Sequence, residues 1–439
     1  MRPTGSAAPA GATPAPLAPP AVLARGPEAA QAALAREPGA DRTTERNRSA
    51  ALDAVRAIAA LMVLLAHASF IADNGYPGPV GMAVRQMLGA GVLIFFSLSG
   101  YLIAGPFLRA LVAGAPPPPI RAYLLRRAAR IYPAYWLALG AVVILLPPPG
   151  GVRAYQWPVH LLLAQSSWPH AGEPTSIFFV AWTLGVEAAF YLFVPLAALV
   201  LRALHPRPWR VGTLLGAVVG AGALTAVWAY LAPVELGSDT GLLSLLARIG
   251  LQVSLYAFCP GMALALANIA AERNAPLLRR PGLLGHPGAM LPAAAALWAA
   301  AYAMERSGER ILALNYQVPF VLASGLILAA MATEGRLTRR LSRLLAPVGL
   351  ISYGIYLWHD TVVQLVWRHS RLGWHGGGAA WAADSVLVLA ATLPLAALSW
   401  LAVERPAMRA AARWARRRAP VPGWRDGRAS RSAEPPPPP

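Results

Sequence analysis

An all-α membrane protein crossing the bilayer about ten times is the fold class the sequence predicts, and three observations predict it. Of the 439 residues, 56% are hydrophobic and only 13% are charged, an apolar content that no soluble core of this size needs. The apolar residues fall in runs long enough to cross a hydrocarbon core about 30 Å thick. The arginines gather in every second connection between those runs, which is how membrane proteins mark their cytoplasmic side.

Taken in order, residues 1–50 are rich in Ala, Pro and Gly, and prolines interrupt each apolar stretch. They predict a disordered cytoplasmic tail with no signal-peptide core. Ten spans follow, at 51–71, 84–112, 131–148, 177–201, 211–232, 243–269, 288–304, 316–333, 344–367 and 380–403. An eleventh candidate, Trp157 to Trp168, is short and carries His160, Gln165 and two serines, so it reads as an interfacial or re-entrant piece. With ten spans the Arg-rich connections at 121–130, 202–210, 273–280 and 336–343 share a side with both tails, and Asp73, Glu235, Asp239, Glu305 and Glu309 fall opposite. An eleventh span would scramble that pattern. Both termini are therefore expected in the cytoplasm, with the chain multi-pass in the cytoplasmic (inner) membrane. Residues 51–406 form the expected membrane domain, and 407–439 a second tail in which Arg409, Arg413, Arg416, Arg417 and Arg418 precede a proline run.

Composition excludes several functions. The 38 basic residues are all Arg, so Lys-based Schiff-base chemistry and a Walker-type phosphate loop are absent. The net charge of +19 sits beside apolar segments as an orientation signal, not as a nucleic-acid footprint. The lone Cys259 forms no internal disulfide and no cysteine metal cluster, and no metal is expected. No internal repeat stands out, which counts against a transporter built from duplicated halves.

Polar residues inside apolar helices are costly and mark sites. The first span carries Asp53, Arg56 and His67; Arg56 and His67, about three turns apart, share a face roughly 16 Å long with Asp53 one turn before. The second span contains FFSLSGYLI, with Ser99 and Tyr101, where small residues suit close helix packing. Arg127 and Arg130 lie three apart beside the third span, spaced either to grip an anion or to anchor the interface. Glu187 lies about two turns inside the fourth span, between Trp182 and Tyr191; the aromatics suit an interfacial belt, but a carboxylate at that depth needs a partner. The ninth span brings Ser352, Tyr353, Tyr356, His359 and Asp360, and Glu404 ends the tenth, where a salt bridge to a neighbouring arginine is expected.

Arg56 with His67, FFSLSGYLI, Arg127-Ala-Ala-Arg130-Ile-Tyr-Pro, WTLGVEAAFY and SYGIYLWH together resemble, in order, the blocks of the acyltransferase 3 family of integral-membrane O-acyltransferases. The resemblance covers roughly residues 50 to 406. It implies transfer of an acyl group, usually acetyl, from cytoplasmic acyl-coenzyme A to a hydroxyl of a glycan or other surface or secreted acceptor. On that footing His67 is the expected general base, with Arg56 and Glu187 beside it in the catalytic set. Arg127 and Arg130, with Arg56, are expected to hold the phosphates of the donor. Trp182, Tyr191, Ser99, Tyr101 and His359 are the expected acceptor-binding residues. Two departures stand out. Some members carry an extracytoplasmic esterase-like domain after the helices, whereas only the short 407–439 tail follows here, so the membrane domain is expected to act alone or with a separate partner. His359 is also followed by Asp360, where a more apolar residue is usual. The competing class is a transporter or flippase whose buried His67, Arg56 and Glu187 line a substrate or proton path.

Overall fold

The computed structural model describes residues 40–69, 90–167, 177–235, 250–273, 287–306, 317–332, 336–369 and 377–417. The chain divides into Met1–Asn47, of which only the first turns of one helix are described, and Arg48–Pro439, which holds the bundle. All regular structure among the described residues is helical, as a hydrocarbon environment requires of a chain that must satisfy its own backbone.

Helix α1 is Ala40–Ala68, starting eleven residues before the expected span. α2 runs Ala90–Ala113 through a π-helical turn at Gly100–Ala104. α3 is Ile120–Leu145, α4 the short Gln156–Leu161, α5 Ala181–Leu204 and α6 Val211–Glu235. α7 is Leu251–Glu272, α8 Pro287–Arg306, α9 Gln317–Ala332, α10 Arg336–Leu350 and α11 Ser352–Arg368. α12 runs Gly377–Ser399, turns through a π segment at Trp400–Glu404, and continues as Arg405–Arg417. Among the described residues seven helices are long and apolar enough to cross a membrane, and α10 with α11 supplies an eighth crossing if the bent pair is one span. The cores of α8 and α9 are apolar but shorter. Trp157–Trp168 contributes only α4 and a 3-10 turn, too short to cross.

Three expectations are corrected. Residues 121–130, expected as a connection outside the third span, are the first part of α3. Ala, Leu and Arg are among the strongest helix formers, and the proline run at 116–119 stops the preceding chain, not this one. The ninth span is not continuous: α10 and α11 meet at 62° around Ile351, four residues beyond Pro347. The tenth helix does not end at 403 but carries its arginines onward to Arg417.

Packing explains which helices hold the site. Two-thirds of the membrane-length parts of α1 and α2 is buried, 67% each, against 11% for α6, so α1 and α2 are central helices and α6 a peripheral one. Ala60, Leu64 and Ala68 of α1 join Ile355, Val362 and Val363 of α11 and Val388 and Ala396 of α12, while Ala59, Met62 and Val63 join the larger core. Large apolar side chains remain uncovered on the outer faces of α3, α5, α6 and α12, among them Ile144, Leu196, Leu224 and Leu398, as expected of surfaces facing lipid. α2 and α7 cross so closely that a Cβ on Gly261 would lie 1.7 Å from the Ser97 carbonyl oxygen, and one on Gly100 2.1 Å from that of Phe258. Only glycine permits this crossing, and it occurs at the π turn that follows Ser99.

Candidate active site

The polar face of α1 points into the bundle, not to lipid. At one end Arg56 donates to Asp53 at 2.5 Å, and at the other His67 is 7% exposed. Arg56 lines a cavity of about 80 Å³, room for several waters at roughly 10–15 Å³ each. Ser99, Arg127, Arg130, Thr183, Glu187, Tyr191, Ser352, Tyr353 and Tyr356 contribute to the same walls, with Phe95, Leu98 and Leu184 among the apolar lining.

Each polar wall has a local cause. Glu187, deep in α5, accepts from Ser99 Oγ and from the Tyr191 hydroxyl, both at 2.7 Å; Tyr191 lies one turn on, and Ser99 is presented by α2 just before its π turn. Arg127 lies over two rings, 5.8 Å from the centroid of Tyr123 and 5.5 Å from that of Tyr191, and the Tyr123 hydroxyl donates to the Tyr191 carbonyl at 3.2 Å. These faces attract a guanidinium and restrict where it points. Arg130, one turn along α3, lies within electrostatic range of Arg56 and Glu404. Glu404 is buried and accepts from Ser399 at 3.2 Å; its bonded partner is that hydroxyl and not the arginine the sequence suggested. The ion pairs include Arg56 with Asp53 and an exposed contact between Arg109 and Glu272. Three guanidiniums thus share the cavity with one carboxylate, Glu187, and Arg127 and Arg130 carry no carboxylate partner.

The histidines form a separate cluster. Nδ1 of His67 lies 3.0 Å from the Val63 carbonyl oxygen and 3.1 Å from Nε2 of His359, and Nδ1 of His359 lies 3.1 Å from the Ile355 oxygen. A carbonyl only accepts, so in the neutral pair both Nδ1 atoms carry the proton, His359 Nε2 accepts, and the lone pair of His67 is on Nε2. His359 is fully buried. The Phe179 ring edges against His67 at 5.9 Å, and the Tyr356 ring is 5.6 Å from that of His359.

Tyr356 connects the two clusters. Its ring packs on His359, it lines the cavity, and its hydroxyl donates to the Val180 carbonyl at 3.0 Å and contacts Thr183 Oγ1 at 2.5 Å. Of the residues singled out from sequence, Arg56, Arg127, Arg130, Glu187, Tyr191 and Ser99 line the cavity, whereas His359 stands behind Tyr356 and His67 behind His359. Tyr101 and Trp182 lie elsewhere: the Tyr101 hydroxyl accepts from Asn268 Nδ2 at 2.9 Å, and the Trp182 carbonyl takes Ser166 Oγ at 2.5 Å. Asp360 is buried and accepts from Gln364 at 2.8 Å. Sequence reasoning did not select Thr183, and named Tyr353 and Tyr356 of the ninth span without giving them a role in the site. Their signal was helical spacing, since Thr183 lies one turn before Glu187 and Tyr356 one turn before His359. Among the described residues no group of three His, Cys, Asp or Glu side chains could hold a metal.

Comparison with known proteins bears on this arrangement. A family model described as an acyltransferase domain, acyltransferase 3, matches residues 49–401. The chain is 25% identical over 386 residues to nodulation protein 10 of Rhizobium leguminosarum bv. viciae, covering 81% of this chain and 92% of that one. It is 26% identical to the acyltransferase MdmB of Streptomyces mycarofaciens, covering 82% and 92%. It is 27% identical to the peptidoglycan O-acetyltransferase OatA of Listeria monocytogenes, over 83% of this chain but 57% of that protein, so it spans little more than half the length of that relative. No solved structure matches.

Proposed function

We propose that this chain, which belongs to the acyltransferase 3 family of membrane O-acyltransferases, transfers an acyl group, acetyl in the first instance, from cytoplasmic acyl-coenzyme A to a hydroxyl of a glycan or other envelope acceptor. The observation that carries the donor half is the cavity in which Arg56, Arg127 and Arg130 meet a single carboxylate. Arg127 and Arg130, the two without carboxylate partners, suit the phosphates of coenzyme A, which they can grip bidentately. The positive-inside pattern supports a cytoplasmic position for this end, with both termini on the same side.

His67 is the proposed base. Arg56 and His67 are separated by about 16 Å along α1, a distance suited to a pantetheine arm that holds its phosphates at the arginines and its thioester near the histidine. In the step we propose, Nε2 of His67 takes the proton of the acceptor hydroxyl while that oxygen attacks the thioester carbonyl carbon. The carbon–sulfur bond then breaks, and the proton returns from His67 to the departing thiolate, giving ester and free coenzyme A. General-base assistance of this kind contributes typically 10²–10⁴-fold. His359 is the proposed positioning residue, because its Nε2 accepts from His67 Nδ1 and so favours the tautomer with a basic Nε2. Glu187 aligns the hydroxyls of Ser99 and Tyr191 along the path between donor and acceptor.

Purified protein in liposomes tests the reading. Acyl-coenzyme A should be consumed only when a hydroxyl acceptor is supplied, with one thiol released per ester formed. Movement of a glycan across the bilayer without thioester loss would support a flippase instead. Mass spectrometry of envelope glycans from cells with and without the gene, searching for one missing acyl group, identifies the acceptor.

A further inference from the structure

We infer that Tyr356 is a specificity-determining residue: its ring bars the donor cavity from the imidazole pair, must turn aside for transfer, and until then keeps a bound thioester from hydrolysis. The inference rests on the acyltransferase reading with His67 as base, and deepens it by naming what separates acceptor from water.

The barrier follows from the order of the side chains. Tyr356 lines the cavity together with Phe95 and Thr183, and its ring lies 5.6 Å from that of His359. Behind His359 is His67, with ring centroids 4.8 Å apart. Neither imidazole lines the cavity, and both are buried. A thioester carried in the cavity therefore meets Tyr356 before it meets His359 or His67.

The ring is held at its tip and at its side. Its hydroxyl donates to the Val180 carbonyl at 3.0 Å and contacts Thr183 Oγ1 at 2.5 Å. Thr183 Oγ1 is itself 3.1 Å from the same carbonyl, and Val180 is the N-cap residue of α5, so the tip of Tyr356 is tied to the start of that helix. At its side the ring meets Phe95 with centroids 5.9 Å apart at 76°, and Phe95 packs against both apolar clusters. A neutral hydrogen bond favours the closed position by only about tenfold, a latch that substrate binding can release. The ring also borders the cavity, so it is not enclosed on every side as a close-packed core residue is.

The chemistry explains why closure matters. The cavity has room for several waters of roughly 10–15 Å³ each. Were His67 open to them, a water oxygen could attack the thioester carbon while its proton passed to Nε2. The carbon–sulfur bond would break and the proton would pass on to the thiolate, leaving carboxylic acid and free coenzyme A. A transferase that closes its site suppresses this side reaction.

The test measures thiol release from acetyl-coenzyme A by full-length protein in nanodiscs with no acceptor present. Tyr356→Ala should raise this release by about tenfold or more over the wild type, and Tyr356→Phe, which keeps the ring and loses the latch, by a few-fold. The rise should disappear when His67→Ala is added to Tyr356→Ala, because hydrolysis then lacks its base. With crude envelope glycan as acceptor, the share of released thiol matched by ester should fall in the same order. Melting temperatures show which variants are folded; should Tyr356→Ala fail to fold, Tyr356→Leu and Tyr356→Phe carry the test. Wild-type hydrolysis in folded variants overturns the barrier, and so does a rise that survives the loss of His67. Normal wild-type transfer beside either result leaves the acyltransferase reading standing and removes the barrier alone. A wild type that releases no thiol even with envelope glycan sinks that reading and the barrier with it.

Discussion

The two ends of the polar seam along α1 are built in opposite ways. At the Arg56 end three guanidiniums, a carboxylate and several hydroxyls surround open space. At the His67 end two imidazoles contact each other and the backbones of their own helices, and neither lines that space. Arg56 is paired with Asp53, whereas Arg127 and Arg130 carry no carboxylate partner, which suits a ligand that brings its own negative charge. Imidazoles fixed through one nitrogen have a defined tautomer and a defined place for a lone pair. On the proposed reading, the difference assigns binding and proton transfer to separate residues, which kinetics can tell apart.

The largest effect expected is from His67→Ala, which should lower kcat by about 10²–10⁴-fold while leaving the Michaelis constant for acyl-coenzyme A and membrane insertion near the wild-type level. Steady-state assays with immunoblots of the membrane fraction measure both. Next comes the arginine end. Arg127→Ala and Arg130→Ala should each raise that Michaelis constant by about tenfold or more, the value of a charge-assisted hydrogen bond, with kcat largely kept. Unchanged constants would return both residues to an interfacial anchor. Arg127→Lys should recover less than Arg130→Lys, because an ammonium does not replace a planar group stacked against Tyr123 and Tyr191.

His359→Ala should lower kcat by about tenfold, the order of one lost orienting hydrogen bond, and leave the donor constant alone. Partial recovery in His359→Gln, which keeps a side-chain acceptor, would mark positioning as its contribution; an equal loss in both variants would mark packing. The smallest effect belongs to Glu187→Gln. It retains an acceptor oxygen for the Ser99 and Tyr191 hydroxyls and should cost about 1 kcal/mol of stability, read as a melting shift of a few degrees, with rates changed by less than about threefold. A collapse in rate would instead give the carboxylate charge a direct part in the chemistry.

Much of this was legible in the sequence, for identifiable reasons. Apolar runs carry their own length, so each of the ten expected spans coincides with a helix or with the bent α10 and α11 pair. Helical spacing put Arg56 and His67 on one face, and that face is interior. Charge misled at residues 121–130, where the arginines did not interrupt the helix that carries them. The bend at Ile351 was illegible because Pro347 is only one of several prolines inside these helices, among them Pro133, Pro195 and Pro260, most of which leave their helix intact. The partnership of His67 with His359 joins positions 292 residues apart, and no local pattern encodes such a pairing. Tyr101 and Trp182 show the converse, since a place in a motif did not bring them to the cavity walls.

The separation of the two ends is tested most directly by measuring acyl transfer against acyl-coenzyme A concentration for Arg130→Ala and His67→Ala side by side. At saturating donor, Arg130→Ala should approach the wild-type rate, while His67→Ala should stay at least about a hundredfold below it at every concentration. A rate in Arg130→Ala that no amount of donor restores, or near-normal turnover in His67→Ala, would contradict the account.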